Sequence, residues 1–162
     1  MRREDINYCP RCGTSVELIW KFGRERPVCP DCDWVFFPDP KVAVAVYVVQ
    51  DDKVLLVQRG SQPRRGLWAL PAGFVDAGEN PSRAAERECL EETGLQVRVT
   101  GLIDVLASDD QCPGAADMII IYRAEADSGQ LCAGDDAQQA LFFEQGDLPP
   151  LAFEATRKVL KQ

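Results

Sequence analysis

Local signals around Asn80–Gly94 set where a helix starts, where it stops and what one of its faces must carry. Asn80 offers a capping side chain, Pro81 fits the first helical position, Ala84 and Ala85 propagate well, and Gly94 suits a left-handed C-terminal residue. At about 100° per residue, Glu88, Glu91 and Glu92 stand at i, i+3 and i+4 and share a face. The glycine-bearing loop Gly73-Phe-Val-Asp-Ala-Gly-Glu79 runs directly into this helix. Three carboxylates so close repel one another unless positive charge sits among them. Two neutralisers are open. One is a hard dication, Mg²⁺ or Mn²⁺, with its preference for oxygen ligands. The other is a solvated acidic helix whose carboxylates pair with Arg83 and Arg87.

The wider segment favours the dication. Gly73, Glu79, Arg87, Glu88, Glu91, Glu92, Gly94 and Leu95 follow the string Gly-x5-Glu-x7-Arg-Glu-U-x-Glu-Glu-x-Gly-U, where U is bulky and apolar. Cys89 departs from it, standing where an aliphatic residue is usual, and a buried thiol behaves as a small hydrophobe. On these residues the chain resembles the Nudix hydrolases. The resemblance implies a loop–helix–loop in which Glu88 and Glu92 hold the divalent ions. Glu91 completes the inner or outer shell, and the backbone carbonyl of Ala72 joins the ligands. It also implies a buried Glu79–Arg87 pair that orients the carboxylates. The chemistry expected is attack of water on one phosphorus of a pyrophosphate linkage. A further acid from outside the helix belongs to the family pattern. Counting back from Asp147-Leu148-Pro149 places it at Asp136, beside Asp135, with Asp109 and Asp110 as rivals on the preceding loop. Related enzymes more often carry the longer Glu there, which puts the reach of Asp136 in question.

A second pattern lies near the N-terminus. Cys9-Pro-Arg-Cys12 and Cys29-Pro-Asp-Cys32 are two Cys-x2-Cys knuckles with sixteen residues between them, a spacing that matches a four-cysteine zinc ribbon. The chain has no histidine, so Cys9, Cys12, Cys29 and Cys32 are the complete ligand set for a tetrahedral Zn²⁺. Gly13 follows the first knuckle and Asp33 the second. Disulfides are the competing reading, but Met1-Arg-Arg-Glu-Asp5 lacks the apolar core of a secretory leader. So short and polar a segment builds no core of its own, and metal binding can supply roughly 10 kcal/mol of folding free energy to such modules. The zinc is expected to be structural. Within residues 1–38, Arg2, Arg3, Arg11, Lys21, Arg24 and Arg26 balance Glu4, Asp5, Glu17, Glu25, Asp31 and Asp33. That neutrality argues against nucleic acid as a partner.

The whole net charge of −8 therefore falls beyond residue 38. A length of 162 residues, 46% hydrophobic and 27% charged, suits one principal domain with a small appendage. Phe37-Pro38-Asp39-Pro40 makes a stiff connector, which divides the chain into a ribbon at 1–38 and a main domain at 39–162. The apolar run Val42 to Val49 is too short to cross a bilayer and reads as a buried strand. With the thiol content, this points to a cytoplasmic setting with no membrane partner, in which Cys89, Cys112 and Cys132 are free thiols.

Val42–Val49 and Lys53–Gln58 read as a hairpin across Asp51-Asp52. Leu67–Leu70, Gln96–Val99, Leu102–Ala107, Met118–Ala126 and Ala140–Phe143 read as further strands, and Ala152–Lys161 as a closing helix. Trp68 is expected in the core. These elements fit an α/β class, the Nudix α/β/α sandwich on a mixed β-sheet. Family members are often homodimers, so the resemblance allows a second copy of the chain as partner.

Two Nudix groups carry an N-terminal four-cysteine ribbon: the NADH pyrophosphatases, and a set resembling plant FAD pyrophosphatases. The first is marked by Ser-Gln-Pro-Trp-Pro-Phe-Pro after the helix, where this chain has Leu106-Ala-Ser-Asp-Asp-Gln-Cys-Pro113. Gln62-Pro63 through Phe74, with Leu151-Ala152-Phe153 downstream, is instead similar to the FAD and ADP-ribose cleaving set. The resemblance thus implies a small-molecule dinucleotide substrate, FAD or ADP-ribose, split to two monophosphates. Arg64 is a candidate phosphate clamp, with Arg65 a weaker one beside it. Phe74, Phe153 and Tyr122 are candidate ring partners. A nucleoside triphosphate pyrophosphohydrolase and an NADH pyrophosphatase are the rival enzymes. A nucleotide-sensing module without turnover is the rival outside the enzyme class.

Overall fold

The structure is a computed structural model that describes residues 5–108 and 115–161. Asp109, Asp110 and Cys112 lie outside the described residues. The chain divides into two compact units between Pro40 and Lys41.

The N-terminal unit is a hairpin of β1 (Glu17–Lys21) and β2 (Arg24–Val28), in antiparallel register from Glu17↔Val28 to Lys21↔Arg24. Its turn residues Phe22 and Gly23 both have positive φ, 55° and 80°, the handedness that matches the twist of a two-residue hairpin. Each cysteine knuckle turns on the same bonds. Gly13 N–H donates to the Cys9 carbonyl at 2.9 Å and Asp33 N–H to the Cys29 carbonyl at 3.1 Å. Gly13 and Asp33 are both left-handed, with φ of 77° and 57°. Aspartate is among the few non-glycine residues that tolerate this region, so the two different residues serve the same turn.

In the second unit β3 (Val42–Gln50) is the central strand. It runs parallel to β8 (Met118–Gly129) and antiparallel to β6 (Ala72–Phe74). The sheet order is β5-β4-β3-β8-β7, where β4 is Lys53–Arg59, β5 is Trp68–Ala69 and β7 is Leu95–Ala107; β9 (Ala137–Glu144) pairs with β4. The mixed sheet of an α/β fold is therefore present. Side chains alternate faces along a strand, and β3 is buried on both. Val44, Val46 and Val48 pack with Ala84, Ala85 and Cys89 of α1 (Pro81–Thr93). Ala45 and Tyr47 pack with Trp68, Leu70, Ile121 and Val159, the last on α2 (Glu154–Leu160). One helix on each face makes the α/β/α sandwich, and this is why Val42–Val49 is a continuous apolar run rather than an alternating one.

Two strand expectations change in detail. The β3–β4 hairpin pairs only beside its turn, at Val49↔Val54 and Gln50↔Lys53. Beyond that β4 leaves with β9 and β5, because β6 takes the edge of β3 that a longer hairpin would need. Gln96–Val99 and Leu102–Ala107 are one long strand, β7, carried past Gly101 by register shifts. Trp68 lies in the core, edge-on to Phe143 at 4.7 Å. Tyr122 packs against the α1 side of the core. Among the described residues no helix is long and apolar enough to cross a membrane.

Candidate active site

Helix α1 begins and ends on its expected residues. The Asn80 side chain accepts from Ser82 N–H at 3.0 Å, and Gly94, with φ 71°, donates its N–H to the Leu90 carbonyl. Between these caps the acidic face divides by depth. Glu88 and Glu92 are buried and Glu91 is exposed.

Arg87 organises the outer part of that face. Its guanidinium grips Glu79 through two bonds of 2.9 and 3.0 Å, and it donates to Glu88 Oε1 at 2.7 Å, to Glu91 Oε2 at 3.1 Å and to the Phe74 carbonyl at 3.0 Å. The Glu79–Arg87 pair is half-buried rather than buried, because it closes the mouth of the loop. Arg83 pairs with Glu86 at 2.7 Å and not with Glu88, Glu91 or Glu92. Glu92 takes its hydrogen bond from the Ala72 N–H at 2.9 Å. Of the two neutralising schemes open to the sequence, arginine pairing is present at Glu88 and Glu91 through Arg87, and Glu92 has a backbone N–H but no arginine bond.

The glycine of the loop has a steric reason. A Cβ on Gly73 would overlap the carboxylate of Glu88, so the acid lies directly against the backbone of β6. Ala72 and Gly73 pair with Ala45 and Val44 of β3, which ties the loop to the centre of the sheet.

Glu88 and Glu92 open onto a cavity of about 590 Å³ that Ala72, Asp135, Asp136 and Arg59 also line. Asp135 and Asp136 arrive on the loop before β9. Its Cys132 and Gly134 N–H groups donate to the Thr93 and Glu92 carbonyls, at 2.9 and 3.0 Å. The loop thereby satisfies carbonyls that the end of α1 leaves open. Burial, followed by the charges of Asp136 and Glu88, pushes the Glu92 carboxyl from the ordinary 4.5 up to about 8. Burial also raises Glu88, against the pull of Arg87. Hard oxygen donors that line one partly desolvated pocket suit a hard dication, whose charge would favour the ionised form that burial disfavours in Glu92.

The remaining candidates separate. Glu91 stands off the cavity wall, on Arg87. Phe74 and Phe153 both line the cavity. Arg64 instead turns to the Ala152 carbonyl at 2.6 Å and borders a smaller recess of about 70 Å³, shared with Phe153. Arg59, unremarked in the sequence, holds the cavity place: its guanidinium lies 5.1 Å from the Phe153 ring centre and lowers Glu92 by its charge. A cation ending the apolar strand Lys53–Arg59, just before Gly60, was the available signal. At the ribbon, the sulfurs of Cys9, Cys12, Cys29 and Cys32 lie within 4.8 Å of one another, a donor set for a soft or borderline cation.

Two outcomes are expected from this geometry. Gly73→Ala should keep the fold, since this glycine is not left-handed, yet displace Glu88 and weaken Mn²⁺ binding about tenfold or more by calorimetry. For Glu92, an unfolded carboxyl loses its proton above about 4.5 whereas the folded one keeps it to about 8. The fold therefore gains from this group at low pH and loses that gain as pH rises through the window. Melting temperature in Mg²⁺-free buffer should fall from pH 5 to pH 8, and Glu92→Gln should flatten part of the fall.

Comparison with known proteins identifies the family. The family model described as NUDIX domain matches residues 39–162. The chain is 42% identical over 122 residues to an ADP-ribose pyrophosphatase of Methanocaldococcus jannaschii, covering 75% of this chain and 72% of that one. It is 30% identical over 149 residues to the NAD-capped RNA hydrolase NudC of Pseudomonas fluorescens, covering 89% of this chain but only 50% of the relative. Among solved structures, a NUDIX hydrolase from Nitrosomonas europaea superposes with a TM-score of 0.84 at 30% identity, over 96% of this chain and 88% of that one. An ADP-ribose pyrophosphatase from Streptococcus suis gives a TM-score of 0.61 at 28% identity, over 71% and 81%. With its carboxylate helix inside the matched segment, the chain belongs to the NUDIX family.

Proposed function

We propose that this protein is a divalent-cation-dependent pyrophosphohydrolase that splits ADP-ribose into AMP and ribose 5-phosphate, with FAD as the next substrate to test. The observation that carries the reading is the meeting of Glu88, Glu92 and Asp136 on one cavity whose walls include the rings of Phe74 and Phe153. A substrate with a diphosphate between two bulky groups needs acids at its middle and apolar surface to either side. The 42% identity to an ADP-ribose pyrophosphatase favours ADP-ribose over FAD.

In this reading Glu88 and Glu92 hold Mg²⁺ or Mn²⁺, helped by Ala72, and Glu91 supports them through Arg87. Bound there, the dication supplies positive charge against the phosphate oxygens and lowers the pKa of water. The chain's own groups do the rest. Arg87 and Glu79 fix the loop so that Glu88 stays against Gly73. Arg59 offers a planar cation to a phosphate or ring at the wall of Phe153, and Arg64 braces that wall from behind. In the same reading Asp136, which lines the cavity with Glu92, takes the proton. An NADH-type dinucleotide is the second reading. Its support is that the NudC likeness covers 89% of the chain, reaching from the NUDIX segment into the cysteine ribbon.

The ribbon is proposed to hold a structural Zn²⁺ on Cys9, Cys12, Cys29 and Cys32, residues 1–38 forming this module and 39–162 the hydrolase. The six described cysteines are free thiols, which suits the reducing cytoplasm. Metal analysis should find a single zinc per chain, lost in Cys29→Ser.

Incubation with Mg²⁺ and ADP-ribose, FAD, NADH or a nucleoside triphosphate, followed by product chromatography, tests the main reading. Two monophosphates from ADP-ribose are expected, and Glu92→Gln should cut turnover about a hundredfold or more, ~2.7 kcal/mol of barrier. Release of inorganic pyrophosphate from a triphosphate, with ADP-ribose untouched, would overturn it.

A further inference from the structure

The peptide that carries Asp136 is held from two sides. Gly60, at the end of β4, donates its N–H to the Asp136 carbonyl at 2.8 Å. A Cβ on Gly60 would overlap that carbonyl oxygen. On the other side Gly134 N–H reaches the Glu92 carbonyl at 3.0 Å, and a Cβ there would overlap the Glu91 carbonyl oxygen. Two close approaches that only glycine permits thus hold the loop between the end of β4 and the end of α1. Asp135 between them is left-handed, with φ 47°, so the chain reverses into Asp136 at this point.

The side chain is fixed as well. Ser61 Oγ donates to Asp136 Oδ2 at 2.7 Å, and Arg59 Nη2 lies 3.4 Å from the same hydroxyl oxygen. A serine hydroxyl has one proton and two lone pairs. Giving the proton to Asp136 turns the lone pairs toward the Arg59 guanidinium, so the three groups form a chain Arg59–Ser61–Asp136 along the cavity wall. Arg59 is itself anchored by Nε on the Pro63 carbonyl at 3.0 Å. One of the two Asp136 oxygens is thereby committed to the wall and the torsion of its carboxylate is set.

We infer that Ser61 is a positioning residue for the hydrolysis, acting through Asp136, and that Gly60 and Gly134 hold the peptide that carries Asp136 at the cavity wall. This rests on the pyrophosphohydrolase reading above, deepened by a role for the β4–β5 loop that lies outside the carboxylate helix.

The test is a cycle of variants assayed with ADP-ribose at saturating Mg²⁺. Ser61→Ala should lower kcat about tenfold with KM unchanged, as expected when an orienting partner is lost rather than a binding contact. Ser61→Thr, which keeps the hydroxyl, should recover most of the rate. Asp136→Ala should lose roughly a hundredfold, and adding Ser61→Ala to it should cost nothing more, because the serine acts through the missing acid. A Ser61→Ala enzyme with wild-type kcat would overturn the inference, as would full additivity in the double variant or wild-type turnover in Asp136→Ala. A readout free of substrate separates this from failure of the functional reading: amide exchange at Gly60 and residues 134–137 should accelerate in Ser61→Ala and not in Ser61→Thr. Unchanged exchange there would sink the clamp even in a protein that hydrolyses ADP-ribose.

Discussion

One guanidinium makes the acidic face of α1 tolerable. Arg87 bonds Glu79 twice, Glu88, Glu91 and the Phe74 carbonyl, and its neighbours hold it charged far above any working pH. Without it the loop from Gly73 to Glu79 would lose its tie to the helix, and Glu88 would lose the partner that offsets its burial. The fit of the loop against Glu88 goes with that closure. Gly73 can lie against Glu88 only if the acid is held in place, and β6 can pair with β3 only if the loop returns from Gly73 at that height.

Burial then distinguishes two acids that look alike on the helix. Glu88 is served by an arginine, whereas Glu92, one turn further in, has a backbone N–H and the charges of Glu88 and Asp136 around it. Such a group remains protonated to near pH 8 by itself, and is the one that gains most from a cation. The core explains the inward position. Ala84, Ala85 and Cys89 sit on the sheet side of the same helix, against Val44, Val46 and Val48, so the neighbouring positions are drawn under the edge of the sheet. Cys89 stands where a larger aliphatic residue is usual. Its thiol, pushed up to about 11 by burial, packs as an uncharged small side chain beside Thr93.

Much of this was legible because it is local. The cap at Asn80, the left-handed stop at Gly94 and the 3.6-residue spacing of Glu88 and Glu92 depend on neighbours in sequence, and a helix of that length expresses them wherever it packs. The cysteine knuckles are of the same kind, since each closes on itself through bonds within six residues. The β3–β4 pairing is shorter than its sequence pattern implies because competition from β6, some thirty residues away in sequence, decides which edge a strand keeps. The different placements of Arg59 and Arg64 are non-local for a similar reason. Both are arginines near the same loop, and only the left-handed backbone at Arg64 turns its guanidinium toward the Ala152 carbonyl.

Caps, periodicity and ligand spacing are short-range, so the helix, its acids, the four-cysteine pattern and the buried central strand are written in the order of residues alone. Which acids share a cavity, and which arginine joins them, depends on packing in three dimensions. Those meetings bring together segments separated by tens of residues, with Ser61 and Asp136 crossing from one loop to another. They are set by where β4, α1 and the loop before β9 end in space. No local preference encodes that place.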